Sequence, residues 1–206
     1  MMIRWLWFRF QVLLVGVGVA TGLGCAGSPP AKFYTLSSMV TTGEVKSEKG
    51  TAGQTLAIGI GPVRLPRYLA RKEIVTRTDA NQIELAEYDL WGGSLQDDFS
   101  RNLLENLSLL LVGDRISLFP WPGMGALDYR VGVDVVRFDG NRGGDVVLIA
   151  NWAIRGGQGA RVVRVQTSRI QEPSGGRGYE TLVGGMSRAL GHLSREIAQA
   201  IRALPR

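Results

Sequence analysis

Residues 128–167 read DYRVGVDVVRFDGNRGGDVVLIANWAIRGGQGARVVRVQT, and their alternation decides the fold. Tyr129, Val131, Val133 and Val135 face one way, against Asp128, Arg130 and Asp134. That is the two-residue period of a strand with one buried face. The pair Val135-Val136 shifts the phase to Phe138, which predicts a bulge. Asn141-Arg142-Gly143-Gly144 turns the chain. Val146, Leu148, Ala150, Trp152 and Ile154 supply a second apolar face, Arg155 to Gly159 turns again, and Val162 to Thr167 runs back. Two consecutive hairpins make an antiparallel meander.

Working outward, both flanks change period. Upstream, Trp91, Leu95, Phe99, Leu103 and Leu107 recur every fourth residue, closed by Leu110 and Leu111, with Asp97, Asp98, Arg101 and Glu105 off the stripe. This predicts an amphipathic helix. Downstream, Leu182, Met186, Leu190, Leu193, Ile197, Ile201 and Leu204 form one apolar face of a second helix. Before the first helix, Phe33 to Leu36 reads as an edge strand and Leu56 to Val63 as a strand stopped by proline. Glu73 to Arg77 and Gln82 to Ala86 form a hairpin around Asp79-Ala80-Asn81. Ile116 to Phe119 adds another strand, and the polar stretch from Ser37 to Gln54 reads as a loop. The expected fold class is α+β: a curved, mostly antiparallel sheet of about seven or eight strands carrying two amphipathic helices. One domain is expected over residues 33–206, preceded by a flexible tether over residues 25–32 and a leader over residues 1–24.

The leader reads as an export signal. Arg4 and Arg9 precede an apolar run, Phe10 to Ala20, and no charge returns before Lys32. A permanent span would need about 20 predominantly apolar residues. The chain's single cysteine, Cys25, follows Thr21-Gly22-Leu23-Gly24 and is followed by Ala26-Gly27-Ser28-Pro29-Pro30, a polar tether. The arrangement resembles the cleavage region of bacterial lipoproteins. There the bond between the residues matching Gly24 and Cys25 is cut, and the cysteine becomes an acylated first residue. Several acyl chains anchor stably where one alone is marginal. Gly22 stands where that pattern usually has Leu. The alternative is ordinary cleavage nearby, leaving Cys25 a free thiol, which is unusual for an exported chain. Ala26 after the cysteine resembles the signal for outer-membrane sorting.

Composition removes most catalytic chemistries. One Cys and one His, His192, leave no disulfide within the chain, no cysteine-based zinc site, and few parts for a nucleophilic triad. Gly59-Ile60-Gly61 is followed by Pro62 and lacks the Gly-Lys-Ser/Thr of a phosphate loop, so the glycines are expected to admit a close backbone or a bend. Asp97 and Asp98 are adjacent on a helix and diverge by about 100° instead of converging on a substrate. They read as a solvated face, as do Asp128, Asp134, Asp139 and Asp145. No catalytic, cofactor or metal site is expected.

The formal charge is +6, and loss of residues 1–24 removes Arg4 and Arg9 alone, leaving +4. Twenty of the 24 basic residues are arginine. Arg64, Arg67, Arg71, Lys72 and Arg77 cluster around Tyr68. A partner protein, anionic headgroups, and a solvated face paired to Glu73 and Asp79 all compete to explain the cluster. Export argues against nucleic acid.

Gly59-Ile60-Gly61-Pro62-Val63-Arg64-Leu65-Pro66-Arg67-Tyr68-Leu69-Ala70-Arg71, with Ile74 to Arg77, resembles the signature of the PqiC-like ABC-type transport auxiliary lipoproteins. So do Leu85 to Trp91, the helix segment ending Leu103 to Leu107, the mature start Cys25…Phe33-Tyr34-Thr35-Leu36, and the final helix around Met186 to Ile197. The resemblance implies a non-enzymatic outer-membrane subunit of an intermembrane lipid-transport system, docking or stabilising a periplasmic tube of MCE-domain protein and supporting membrane integrity. It further implies membrane attachment through Cys25 on the periplasmic face, a homo-oligomer around the tube, and no family catalytic residue to carry over. Pro62, Arg64, Leu65, Pro66, Arg67, Tyr68 and Leu69 are the candidate partner contacts, because apolar Leu65, Tyr68 and Leu69 sit in a proline-punctuated loop. A loop folded back on its own domain is the competing reading of that segment. Two other roles stay open: a lipid-anchored envelope hydrolase, and a passive structural or assembly lipoprotein.

Overall fold

The computed structural model describes residues 29–38, 55–121, 123–157 and 161–205. The chain divides into two compact units, Met1–Pro30 and Ala31–Arg206. The elements described below belong to the second. The leader, Cys25 and most of the predicted Ser37–Gln54 loop lie outside the described residues.

Among those residues the order is β1 (Lys32–Tyr34), β2 (Ala57–Arg64), a 3-10 turn (Arg67–Leu69), β3 (Glu73–Asp79), β4 (Gln82–Trp91), α1 (Leu95–Leu110), β5 (Arg115–Leu118), β6 (Tyr129–Gly140), β7 (Asp145–Gly156), β8 (Val162–Pro173) and α2 (Tyr179–Arg202). The α+β class, the strand order and both helices agree with the sequence. The single sheet does not, and the antiparallel expectation holds in part: the strands fall in two mixed sheets. Three strands form one sheet, β1-β4-β3, and five form another, β5-β2-β6-β7-β8. Pairs β1–β4, β2–β5 and β2–β6 are parallel, while β3–β4, β6–β7 and β7–β8 are antiparallel. The connectivity explains the mixture. Short connections join the hairpin strands, whereas β2 reaches β5 and β6 through the β3–β4 hairpin and a helix, a crossover long enough to return strands in parallel.

The meander behaves as its alternation predicts. Val131, Val133, Val135, Phe138, Val146, Leu148, Ala150, Trp152 and Ile154 are all buried. The register shifts between Val135 and Arg137, where the doubled valine predicts a bulge. The two helices pack on each other and on this sheet. Leu95, Phe99, Leu103 and Leu107 of α1 and Leu182, Met186, Leu190, Leu193, Ile197 and Ile201 of α2 are buried, each worth about 1.5–3 kcal/mol for a large apolar side chain. Phe99 meets Phe138 edge to face at 5.3 Å between ring centroids. Asn106 donates to Ser194 Oγ at 3.2 Å between the helices. Trp152 Nε1 donates to Ser168 Oγ at 2.8 Å, and Ser168 donates onward to Glu196 of α2.

Two helix details differ from the sequence reading. Trp91 has the stripe's spacing, yet it ends β4; α1 begins after Gly92-Gly93, capped by Ser94, whose Oγ accepts from Asp97 N at 3.3 Å. Asp98 is buried instead of solvated, because its Oδ2 accepts the Leu36 backbone N–H at 2.6 Å. That bond gives the chain leaving β1 a partner it would otherwise lack.

Gly59 and Gly61 do admit a close neighbour. A Cβ on Gly59 would lie 2.6 Å from Trp121 Nε1, and one on Gly61, at φ +117°, would lie 2.8 Å from Phe119 Cβ. The loop after β5 therefore packs flat on β2, and Trp121 Nε1 donates to Ile60 O at 3.3 Å.

Candidate functional site

The loop from Pro62 to Lys72 leaves β2, makes the 3-10 turn, and enters β3. Its turn forms because Pro66 sits extended (φ −58°, ψ 144°) ahead of Arg67, and Leu69 N and Ala70 N donate back to Pro66 O and Arg67 O. The turn sends its successive side chains in different directions. Tyr68 points to the five-stranded sheet, where its hydroxyl donates to Asp139 Oδ2 at 2.8 Å. Leu69 is buried, and Arg67 is exposed.

Asp139 corrects the sequence reading most sharply. It was expected on a solvated strand face, but it is fully buried. Its carboxylate accepts four hydrogen bonds: from Tyr68, from Arg77 Nε at 3.2 Å and Nη2 at 3.0 Å, and from Arg137 Nε at 2.8 Å. The bidentate Arg77 fork comes from the hairpin sheet, so one buried anion ties that sheet and the turn to β6. Burial pushes the Asp139 carboxyl up, but the bonds from Arg77, Arg137 and Tyr68 together outweigh it and hold the group below the usual carboxylate range. Burial, reinforced by the bond to Asp139, raises the Tyr68 phenol to about 12. Arg77, in a cluster for which local pairing to Glu73 and Asp79 is one of the competing readings, is thus committed to Asp139.

The same turn forms one wall of a half-open cleft of about 730 Å³. Its apolar sides are Phe33, Leu65, Leu69, Trp91 and Leu95. Backbone bonds set the floor: Trp91 N donates to Lys72 O at 2.7 Å and Gly92 N to Tyr34 O at 2.8 Å. A weaker bond, Leu65 N to Gln96 Oε1 at 3.4 Å, ties the turn to the start of α1. The charged residues lining the cleft are Arg71 and Lys72, both exposed. Arg71 is steered by its Nε donating to Tyr68 O at 2.9 Å. Neither takes part in the ion pairs formed among the described residues. Gly93 opens the mouth, since a Cβ there would meet nothing within 4 Å.

The candidate contact segment is therefore divided. Leu65 and Leu69 face the cleft, Tyr68 is spent on Asp139, Pro66 is half-buried, and Pro62, Arg64 and Arg67 are exposed. The basic cluster divides too, with Arg77 neutralised and Arg71 and Lys72 on the cleft rim. Sequence reasoning did not find Phe33, Trp91 or Gly93 as cleft residues. Phe33 follows a polar tether, and its strand of three residues, pairing among the described residues with β4 alone, leaves it 67% exposed. His192 lies half-exposed on α2, with Nε2 3.0 Å from Glu172 Oε1. Cys25 and Gly24 lie outside the described residues. Among the described residues no group of three or more His, Cys, Asp or Glu is placed to hold a metal ion, and no helix is long and apolar enough to cross a membrane.

Comparison with known proteins agrees in sequence and in fold. Residues 34–198 match the sequence model of the ABC-type transport auxiliary lipoprotein component. The intermembrane transport lipoprotein PqiC of Escherichia coli is 26% identical over 195 residues, covering 93% of this chain and 98% of that protein. PqiC of Shigella flexneri matches to the same extent. Among solved structures, an uncharacterized protein superposes with TM-score 0.68 at 22% identity, covering 84% of this chain and 99% of its own. Protein XCC0632 from Xanthomonas campestris gives 0.67 at 14% identity, covering 82% and 93%.

Proposed function

Since the chain belongs to the family of ABC-type transport auxiliary lipoprotein components, we propose that it is a non-enzymatic, acylated subunit of an intermembrane lipid-transport system. In this reading Cys25 is cut free at the Gly24–Cys25 bond, acylated, and inserted in the periplasmic face of the outer membrane. The folded unit then docks or stabilises the far end of a periplasmic tube built by an MCE-domain partner. A ring of copies around the tube follows from the symmetry of such a partner.

The observation that carries the reading is the near full-length likeness to an intermembrane transport lipoprotein, coupled to a sole cysteine followed by a short polar tether. The architecture supports it. A two-helix, two-sheet unit on a short leash suits positioning, and its buried acids Asp98 and Asp139, with the part-buried Glu196, are engaged in structural hydrogen bonds.

Metabolic labelling with a fatty acid, followed by density-gradient separation of the membranes, tests the reading. The chain should carry label and travel with the outer membrane, and Cys25→Ala should lose both properties. Label retained in Cys25→Ala, or an unlabelled soluble wild-type chain, would remove the anchor.

A further inference from the structure

We propose that the cleft beside the 3-10 turn binds an anionic phospholipid, its phosphate held by Arg71 and Lys72 and an acyl chain laid against Phe33, Leu65, Leu69, Trp91 and Leu95. The membrane that supplies this lipid is the one in which Cys25 is anchored, so for its source the inference rests on the reading above.

The cleft has the two-part chemistry of an amphiphile site. Among the described residues one rim carries two cations and no carboxylate, and the walls behind it are aliphatic and aromatic. The volume of about 730 Å³ falls within the usual range for small-molecule pockets. An acidic peptide would satisfy the cations but would leave the apolar walls unused.

Chain length places the cleft near lipid. Seven residues separate Cys25 from Phe33, and Phe33 lines the cleft. At about 3.3–3.6 Å per residue the fully extended tether reaches about 28 Å, comparable with the hydrocarbon core of one bilayer. Anchored this way, the cleft mouth stays within reach of the headgroup layer. A large aromatic, 67% exposed beside two basic residues, matches what is enriched at membrane interfaces.

The test uses the mature chain from residue 26, without acyl groups. The compact unit Ala31–Arg206 contains every core side chain found among the described residues, so it is expected to fold without the leader. Binding is read by co-sedimentation with vesicles of phosphatidylcholine alone or with added phosphatidylglycerol. Entry of the acyl chain is read by quenching of Trp91 with brominated lipid, in a Trp121→Phe background where the other remaining tryptophan, the buried Trp152, supplies a constant baseline. The wild-type chain should bind the anionic vesicles and be quenched. Arg71→Glu with Lys72→Glu, both exposed, should weaken binding at least about tenfold. Gly93→Leu, whose Cβ would meet nothing within 4 Å, should keep its thermal unfolding and lose the quenching. Reversing Arg164 and Arg169 on β8 should change neither. Binding that survives charge reversal at Arg71 and Lys72, or binding without quenching, overturns the site. Failure of acylation at Cys25 would leave the vesicle result standing, so the two readings fail separately.

Discussion

The hydroxyl of Tyr68 donates to Asp139 Oδ2 at 2.8 Å across 71 residues of chain. This bond fixes the 3-10 turn on the five-stranded sheet, and the neighbouring Leu69 faces the cleft. Asp139 is therefore the post from which the cleft wall is hung.

Asp139→Ala should cost about 3–5 kcal/mol, the usual loss when one partner of a buried ion pair is removed and the other stays. Tyr68→Phe removes one charge-assisted bond and should cost about 1.5–3 kcal/mol. Urea unfolding measures both. A cost below about 1 kcal/mol for Asp139→Ala would mean that Arg77 and Arg137 find other partners.

The pH dependence has opposite signs at its two ends. The folded-state carboxyl of Asp139 lies below its ordinary value of about 3.9, so its contribution is complete above that pH and is lost as pH falls through the depressed value. Phenols raised to about 12 contribute stability present below pH 10 and lost as pH rises through 12. For Tyr34 the causes are burial first, then its bond to Asp89 at 2.6 Å. Absorbance titration at tyrosinate wavelengths should show a late component near pH 12, reduced by Tyr34→Phe and by Tyr68→Phe. A late component untouched by either substitution would refute the assignment.

Gly61 and Gly93 should respond oppositely to alanine. At Gly61 the backbone has φ +117° and a Cβ would lie 2.8 Å from Phe119 Cβ, so Gly61→Ala should cost about 1–3 kcal/mol. Gly93 has neither constraint, and Gly93→Ala should be neutral or stabilise by up to about 1 kcal/mol through the unfolded chain. Thermal unfolding of the two variants side by side decides it; equal effects would contradict the geometry.

Asp98→Ala should leave the Leu36 N–H without its acceptor, at a cost of about 1–3 kcal/mol. Amide hydrogen exchange is the sharper probe. Leu36 should lose protection more than residues of β7, and unchanged exchange at Leu36 would show that the bond is dispensable.

Much of this was legible in the sequence because it is periodic. The meander from Tyr129 to Thr167, the stripe of α2, the bulge at Val135-Val136 and the Asp79–Asn81 turn each repeat or interrupt a simple spacing. Sheet membership was not legible, because no local signal says that β2 lies in parallel beside both β5 and β6. Trp91 misled for a related reason: four-residue spacing holds on either side of a strand-to-helix junction, and the Gly92-Gly93-Ser94 break with its cap was the clue. Asp139 left no signal at all. An acid between Phe138 and Gly140 looks solvated until Tyr68 and Arg77, both more than 60 residues away, fold over it. The cleft was half legible. Leu65, Leu69, Arg71 and Lys72 came from one proline-punctuated segment, while Phe33, Trp91 and Gly93 join them only through the β1–β4 pairing.

The most direct measurement is affinity purification of the C-terminally tagged chain from gently solubilised envelopes, with mass spectrometry of its partners and of its N-terminal peptide. The account predicts an MCE-domain protein recovered together with a peptide that begins at a triacylated Cys25. A lone, soluble chain with an unmodified cysteine would contradict it.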